Sequence, residues 1–286
     1  MDITTILDKG KLKLDNNGIW VTDLSLSNEA RKSQETWEKI YDFNLKKLKV
    51  DRIDFRDNKL RDHISYICKD YHFTSNTIYL EIGCGPSYIG EYLGKKYHCY
   101  FMGIDFNYQV LISLKKYFDE IGLRKYVLVH ADINYLPIKP NSVDFIYGGG
   151  VIEHFKDTQG ILAGLYKILK KNGVAFNTIP AFNLFWLTRF WNNIPSFMPL
   201  KKIFEIIHIR ILNYALLNRY HGYELSYTLH RLTKLYKKAK FNDIKSGSFA
   251  FHPSAKKMSN KFLVDLYYKF SKNTLFAPIY YVFGRK

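Results

Sequence analysis

The chain has 286 residues, of which 47% are hydrophobic and 17% aromatic, enough for one large α/β domain with a real core and too apolar for a disordered chain. Its formal net charge of +17 is unevenly placed: residues 179–286 hold 18 Lys and Arg against 4 Asp and Glu, whereas residues 1–178 hold 25 against 22. Cys68, Cys84 and Cys99 form no CxxC pair, no Cys/His run has metal-ligand spacing, and no stretch of about 18 apolar residues exists, so the sequence argues against a disulfide framework, a metal centre and a membrane span. The N-terminus lacks a basic start followed by an apolar run, and a cytoplasmic protein is expected. The basic last third suits a polyanion, an anionic membrane surface or a phosphorylated substrate, or else a solvated face that maintains solubility.

In chain order, residues 1–75 read as a polar start and then a helical extension. One helix is predicted over Ala30 to Leu48, with Trp37, Ile40, Tyr41 and Leu45 at helical spacing, and a second over Leu60 to Tyr71. From Thr77 short apolar runs alternate with amphipathic helices. Strands are predicted at 77–82, 99–104, 126–129, 143–147 and 174–179; the intervening helices include one bearing Val110, Leu111, Leu114, Phe118 and Ile121, and another bearing Ile161, Leu162, Leu165, Tyr166 and Leu169. Such alternation implies right-handed crossovers and a mostly parallel sheet covered on both faces, a Rossmann-like α/β fold. The 76–180 core is then interrupted by 181–222, an aromatic and basic segment placed as a helical lid after the fifth strand. Residues 223–286 complete a seven-stranded sheet with a helix over 229–240, a strand over 243–251, a helix over 260–271 and a strand over 279–283.

The chemistry sits at the predicted strand ends. LEIGCGPSYIG follows the first core strand, with Glu81 at its end and Gly83 and Gly85 in a turn where the backbone can approach a ligand closely. Asp105 ends the second strand 20 residues beyond Gly85, where a carboxylate can accept from both hydroxyls of a ribose. Asp132, after the third strand, can accept from an adenine amine while Ile133 packs on the ring. Asp105 and Asp132 can equally cap the helices that follow them. Cys84 reads as a small filler, with no basic neighbour to lower its pKa. Neither GxGxxG nor a Walker lysine is present, which argues against a dinucleotide or a nucleoside triphosphate.

Five segments in register, LEIGCGPS at 80–87, GIDF at 103–106, ADINYLP at 131–137, VDFIYGGGVIEHF at 143–155 and LKKNGVAFNTIP at 169–180, resemble the class I S-adenosylmethionine-dependent methyltransferases. The likeness is greatest to the small-molecule enzymes similar to those of quinone biosynthesis. The resemblance implies S-adenosylmethionine as cofactor and S-adenosylhomocysteine as product. It assigns Glu81, Gly83 and Gly85 to the methionine amino end, Asp105 to the ribose, Phe106 and Ile133 to the adenine faces, Asp132 to the adenine amine, and Gly149 to a place beneath the methionine portion. Two positions depart from the family's usual glycines, Ser87 and Lys240.

Methyl transfer is an in-line displacement that relies chiefly on alignment. His154, in VIEHF, stands where the methyl end meets the acceptor and is the candidate general base for a hydroxyl acceptor; the alternative is that it shapes the loop. His221 and Tyr223 are weaker candidates, and Trp37 and Tyr41 either fold over the cofactor or join the core. The insertion carries Phe182, Phe185, Trp186, Phe190, Trp191, Phe197 and Phe204 among Arg189, Lys201 and Lys202. That composition suits a small apolar, lipid-linked or glycan-type acceptor with O-methyl transfer, and a peripheral place at the inner membrane face. RNA, in particular tRNA, is the alternative acceptor. A non-catalytic cofactor-binding subunit is a third reading.

Overall fold

The computed structural model describes residues 2–22, 27, 31, 34, 60–183, 194–195, 225–250 and 261–286. In chain order its strands are β1 (Leu12–Leu14), β2 (Trp20–Thr22), β3 (Ile78–Ile82), β4 (Tyr100–Asp105), β5 (Tyr126–His130), β6 (Val143–Gly149), β7 (Leu169–Pro180), β8 (Ile194–Pro195), β9 (Leu225–Ser226), β10 (Asn242–Ser248) and β11 (Ile279–Arg285). The α-helices are α1 (Leu60–Ile67), α2 (Tyr88–Tyr97), α3 (Tyr108–Glu120), α4 (Thr158–Ile168), α5 (Leu229–Lys238) and α6 (Lys261–Ser271).

The main sheet runs β1-β2-β5-β4-β3-β6-β7-β11-β10. Neighbours from β5 to β7 are parallel, and β11 lies antiparallel between β7 and β10. The strand order reverses direction beside β3, the switch point at which sheets of this kind receive ligands outside their carboxyl ends. Alternation along β3 divides the core. Ile78, Leu80 and Ile82 face the cluster that holds Ile161, Leu162 and Leu165 of α4. Tyr79 faces the opposite cluster, with Ile89 and Leu93 of α2 and Leu111 and Leu114 of α3. On that second face Tyr79 stacks between Phe101 and Phe145, at 5.8 and 6.1 Å, and Phe176 lies between Tyr147 and Tyr281, at 6.1 and 5.8 Å.

Among the described residues the seven predicted strands are present, but the sheet has nine, because the N-terminal region is not purely helical. Leu12–Leu14 and Trp20–Thr22 pair antiparallel, and β2 adds parallel to the β5 edge. The cause is local turn chemistry in DNNG. The Asp15 carboxylate accepts the N–H groups of Asn17 and Ile19, both at 2.9 Å, while Gly18 takes a φ of 74° that closes the hairpin. Leu169, expected on the helix, instead begins β7 opposite Val143. Helix α1 ends at Ile67, short of the expected Tyr71. The expected Ala30–Leu48 helix, Trp37 and Tyr41 included, falls almost wholly outside the described residues, of which Arg31 and Gln34 are helical. Most of the expected insertion, with Trp186, Trp191, Phe197 and Phe204, and both His221 and Tyr223 also lie outside them. Where the chain leaves and re-enters the core, Ala181 and Tyr227 form a parallel bridge, and β8 pairs with β9.

The departure at Lys240 occupies a position where glycine has a physical advantage. The Lys240 N–H donates to the Lys237 carbonyl and the Phe241 N–H to that of Tyr236, a Schellman closure of α5, and Lys240 is held at a φ of 71°. Lys240→Gly is therefore expected to stabilise the fold by about 0.5 to 1 kcal/mol, read as a raised midpoint in urea unfolding. A lowered midpoint would contradict the assigned strain.

Candidate functional site

The turn after β3 joins the carboxyl ends of the parallel strands. Gly83 and Gly85 take φ values of 54° and 45°, and Ser87, at the cap of α2, takes 48°. A Cβ on Gly83 would stand 2.7 Å from the Val151 side chain, whereas one on Gly85 would meet nothing within 4 Å. Gly83 is thus required by packing. Gly85 borders open space, and its N–H is held by Asp105.

Two carboxylates hold this turn. Glu81, buried at the end of β3, accepts at Oε2 from the Ser87 hydroxyl at 2.8 Å, the Gly90 N–H at 3.1 Å and the Tyr79 hydroxyl at 3.3 Å. Ser87 therefore supplies a hydroxyl that a glycine could not, which offsets its unfavourable φ. Asp105, at the end of β4, accepts the Gly85 N–H at Oδ2 and the Asn107 N–H at Oδ1, both at 2.8 Å. Burial raises its pKa to about 6 against the lowering effect of these N–H bonds. Helix α3 is capped by Asn107, whose side chain accepts the Val110 N–H at 3.1 Å, so Asp105 is not that helix's cap.

Asp132 does cap. Its Oδ1 accepts the backbone N–H and the side-chain amide of Asn134, both at 2.9 Å, at the start of the 3-10 turn Ile133–Tyr135. Its Oδ2 accepts the Ser27 N–H at 3.0 Å, which brings the N-terminal segment to the same strand edge. Ile133 is buried in the core cluster, and Phe106 is half-buried in the loop after β4. The Phe106 carbonyl meets His130 Nε2 at 2.9 Å, and His130 lies opposite Asp105 in the β4–β5 register. Burial moves the His130 pKa below the usual imidazole value. His130 heads the HADINYLP run, and nothing in the local pattern marks its contact with the loop after β4.

Across the switch point, Gly149 ends β6 opposite Thr178 and is exposed. His154 is buried in the 3-10 turn Ile152–His154 that follows, with its N–H on the Val151 carbonyl at 3.1 Å. The Thr158 hydroxyl at the start of α4 bonds the Phe155 carbonyl at 3.1 Å and the Tyr227 hydroxyl at 2.7 Å, anchoring this loop to the chain's re-entry point. Cys84 is buried, and burial together with the charges of Asp105 and Glu81 pushes its thiol far up, in keeping with a filler. Among the described residues no three His, Cys, Asp or Glu gather as a metal-binding group, and no helix is long and apolar enough to cross a membrane.

Fold and site define a Rossmann-like α/β domain with a glycine turn at the carboxyl edge of its sheet. Residues 80–177 match the family model described as a methyltransferase domain, which supports a class I S-adenosylmethionine-dependent methyltransferase. A curated relative is the malonyl-[acyl-carrier protein] O-methyltransferase of Hamiltonella defensa subsp. Acyrthosiphon pisum (strain 5AT), 26% identical over 116 residues. That match covers 40% of this chain and 43% of the relative, less than half of either. Among solved structures, a phosphoethanolamine N-methyltransferase 2 of Haemonchus contortus in complex with S-adenosyl-L-methionine aligns at a TM-score of 0.54 and 16% identity, over 79% of this chain and 52% of that one. The YcgJ protein of Bacillus subtilis aligns at 0.51 and 13% identity, over 78% and 97%. At these identities the structural matches establish a common fold.

Proposed function

We propose that the protein transfers the methyl group of S-adenosylmethionine to a small apolar, lipid-linked or glycan-type acceptor, with oxygen as the methylated atom. The observation that carries this reading is the bond from the Gly85 N–H to the Asp105 carboxylate. It couples the glycine turn after β3 to the acceptor group expected for a ribose, and so sets two parts of one nucleoside site in a fixed relation. The donors and acceptors suit the cofactor. Asp105 would take the ribose hydroxyls, Glu81 and the Gly83–Gly85 backbone the methionine amino end, Phe106 and Ile133 the adenine faces, Asp132 the adenine amine, and Gly149 would leave room beneath the methionine portion. When bound, the cofactor supplies an electrophilic methyl on a sulfonium. The chain's own contribution is alignment, exclusion of water and, at His154, acceptance of the proton from a hydroxyl acceptor. The curated relative is named as an O-methyltransferase, which supports the choice of atom.

Calorimetry with S-adenosylhomocysteine tests the cofactor. Binding in the micromolar range, with no heat from a nicotinamide dinucleotide, is expected. Binding of the dinucleotide in its place would remove the reading.

A further inference from the structure

The last helix and the turn after it carry an apolar surface that the core does not absorb. Leu266 and Phe270 stand four residues apart along α6, and so share one side of the helix; they are 39% and 50% exposed. The turn adds Leu275 and Phe276, 54% and 36% exposed. The rings of Phe270 and Phe276 meet edge-on at 5.7 Å, so stripe and turn form one patch. Scattered apolar residues on a surface need no explanation; a contiguous aromatic patch does.

Its position narrows the choice of occupant. The turn leads into β11, whose first residue, Ile279, lies opposite Pro180, the last residue of β7. Asn183, at the start of the insertion, donates its amide to the carbonyls of Thr274 and Ala277 at 2.8 and 2.9 Å. The patch thus lies at the carboxyl edge of the sheet, the edge that bears the candidate site. It is also set in basic surroundings. Lys269 and Lys272 are exposed on the same helix and turn, and Asp265 is the only acid between residues 261 and 276. Pairing two such faces of this chain would oppose like charge with like.

We propose that α6 and the 272–276 turn form a docking surface for an anionic lipid bilayer. The apolar side chains enter the headgroup boundary, and the surrounding lysines meet acidic headgroups. Docking by this surface turns the ligand edge of the sheet towards the bilayer, a suitable orientation for a lipid-linked acceptor. The docking itself does not depend on the acceptor reading.

The test is co-sedimentation of the full chain with vesicles of phosphatidylcholine alone or mixed with phosphatidylglycerol. The wild type is expected to bind the mixed vesicles and to release as salt rises. Leu266→Ser/Phe270→Ser should bind about tenfold more weakly, and Leu275→Ser/Phe276→Ser should repeat the loss from the other half of the patch. Unchanged melting temperature and unchanged S-adenosylhomocysteine affinity in both variants would separate lost docking from lost folding and from a wrong cofactor. The proposal is overturned if the wild type ignores phosphatidylglycerol, or if both variants bind as tightly as the wild type. It is equally overturned if light scattering shows a wild-type dimer that the variants dissolve while vesicle binding persists, for then a second copy covers the patch.

Discussion

Asp105→Ala is expected to weaken S-adenosylhomocysteine binding by about 1 to 3 kcal/mol, roughly ten- to a hundredfold in affinity, because it removes a charge-assisted acceptor from a buried site. The same change strips the acceptor from the Gly85 and Asn107 N–H groups, so part of the loss would come from a loosened turn. A pH series separates the two contributions. The folded pKa of Asp105 is raised from 3.8 to about 6, so its protonated form stabilises the ligand-free fold at low pH, and that stability is lost as pH rises from about 4 through 6. Donated ribose hydroxyls favour the carboxylate. Wild-type affinity should therefore hold at neutral pH and fall as pH drops below about 6, and Asp105→Ala should lack that dependence. Equal affinity in variant and wild type would remove Asp105 from the site.

The parts of the fold visible in the sequence were those with a repeating pattern. The runs from Ile78 to Ile82 and from Tyr100 to Asp105 are buried along nearly their whole length and stand between helices, so period and spacing locate them without long-range information. The β1–β2 hairpin has three-residue strands of mixed burial, too short for alternation to register, and its signal was the DNNG turn. The glycine turn and its two carboxylates were legible from composition and spacing. What holds them was less so. The bonds from Ser87 and Gly90 to Glu81 depend on the turn's conformation, and the Ser27 N–H reaches Asp132 across 105 residues. Asn17 donates to the Tyr108 hydroxyl, which also bonds Asp15, and this ties the hairpin loop to the start of α3 across a separation that no local pattern records.

His154→Ala should lower turnover by about 10²- to 10⁴-fold if this imidazole accepts the proton of a hydroxyl acceptor. Its placement gives the reason to test it. The turn that bears His154 follows β6 at the switch point, adjoins β7 and β9, and is fixed by the Thr158–Tyr227 bond to the place where the chain re-enters the core. A base there works only when neutral, so wild-type turnover should rise with pH through an imidazole titration, and the variant should lose that limb while keeping its affinity for S-adenosylhomocysteine. The structural alternative has a different signature. His154 is buried in a loop whose backbone contacts β7, and a purely packing role would make His154→Ala lose melting temperature and cofactor affinity together, with the form of the pH profile retained. His154→Gln, which keeps a polar side chain of similar reach without the titration, should preserve the fold in either case. Turnover in that variant close to the wild-type value would take His154 out of the proton transfer and leave alignment of acceptor and sulfonium as the source of the rate.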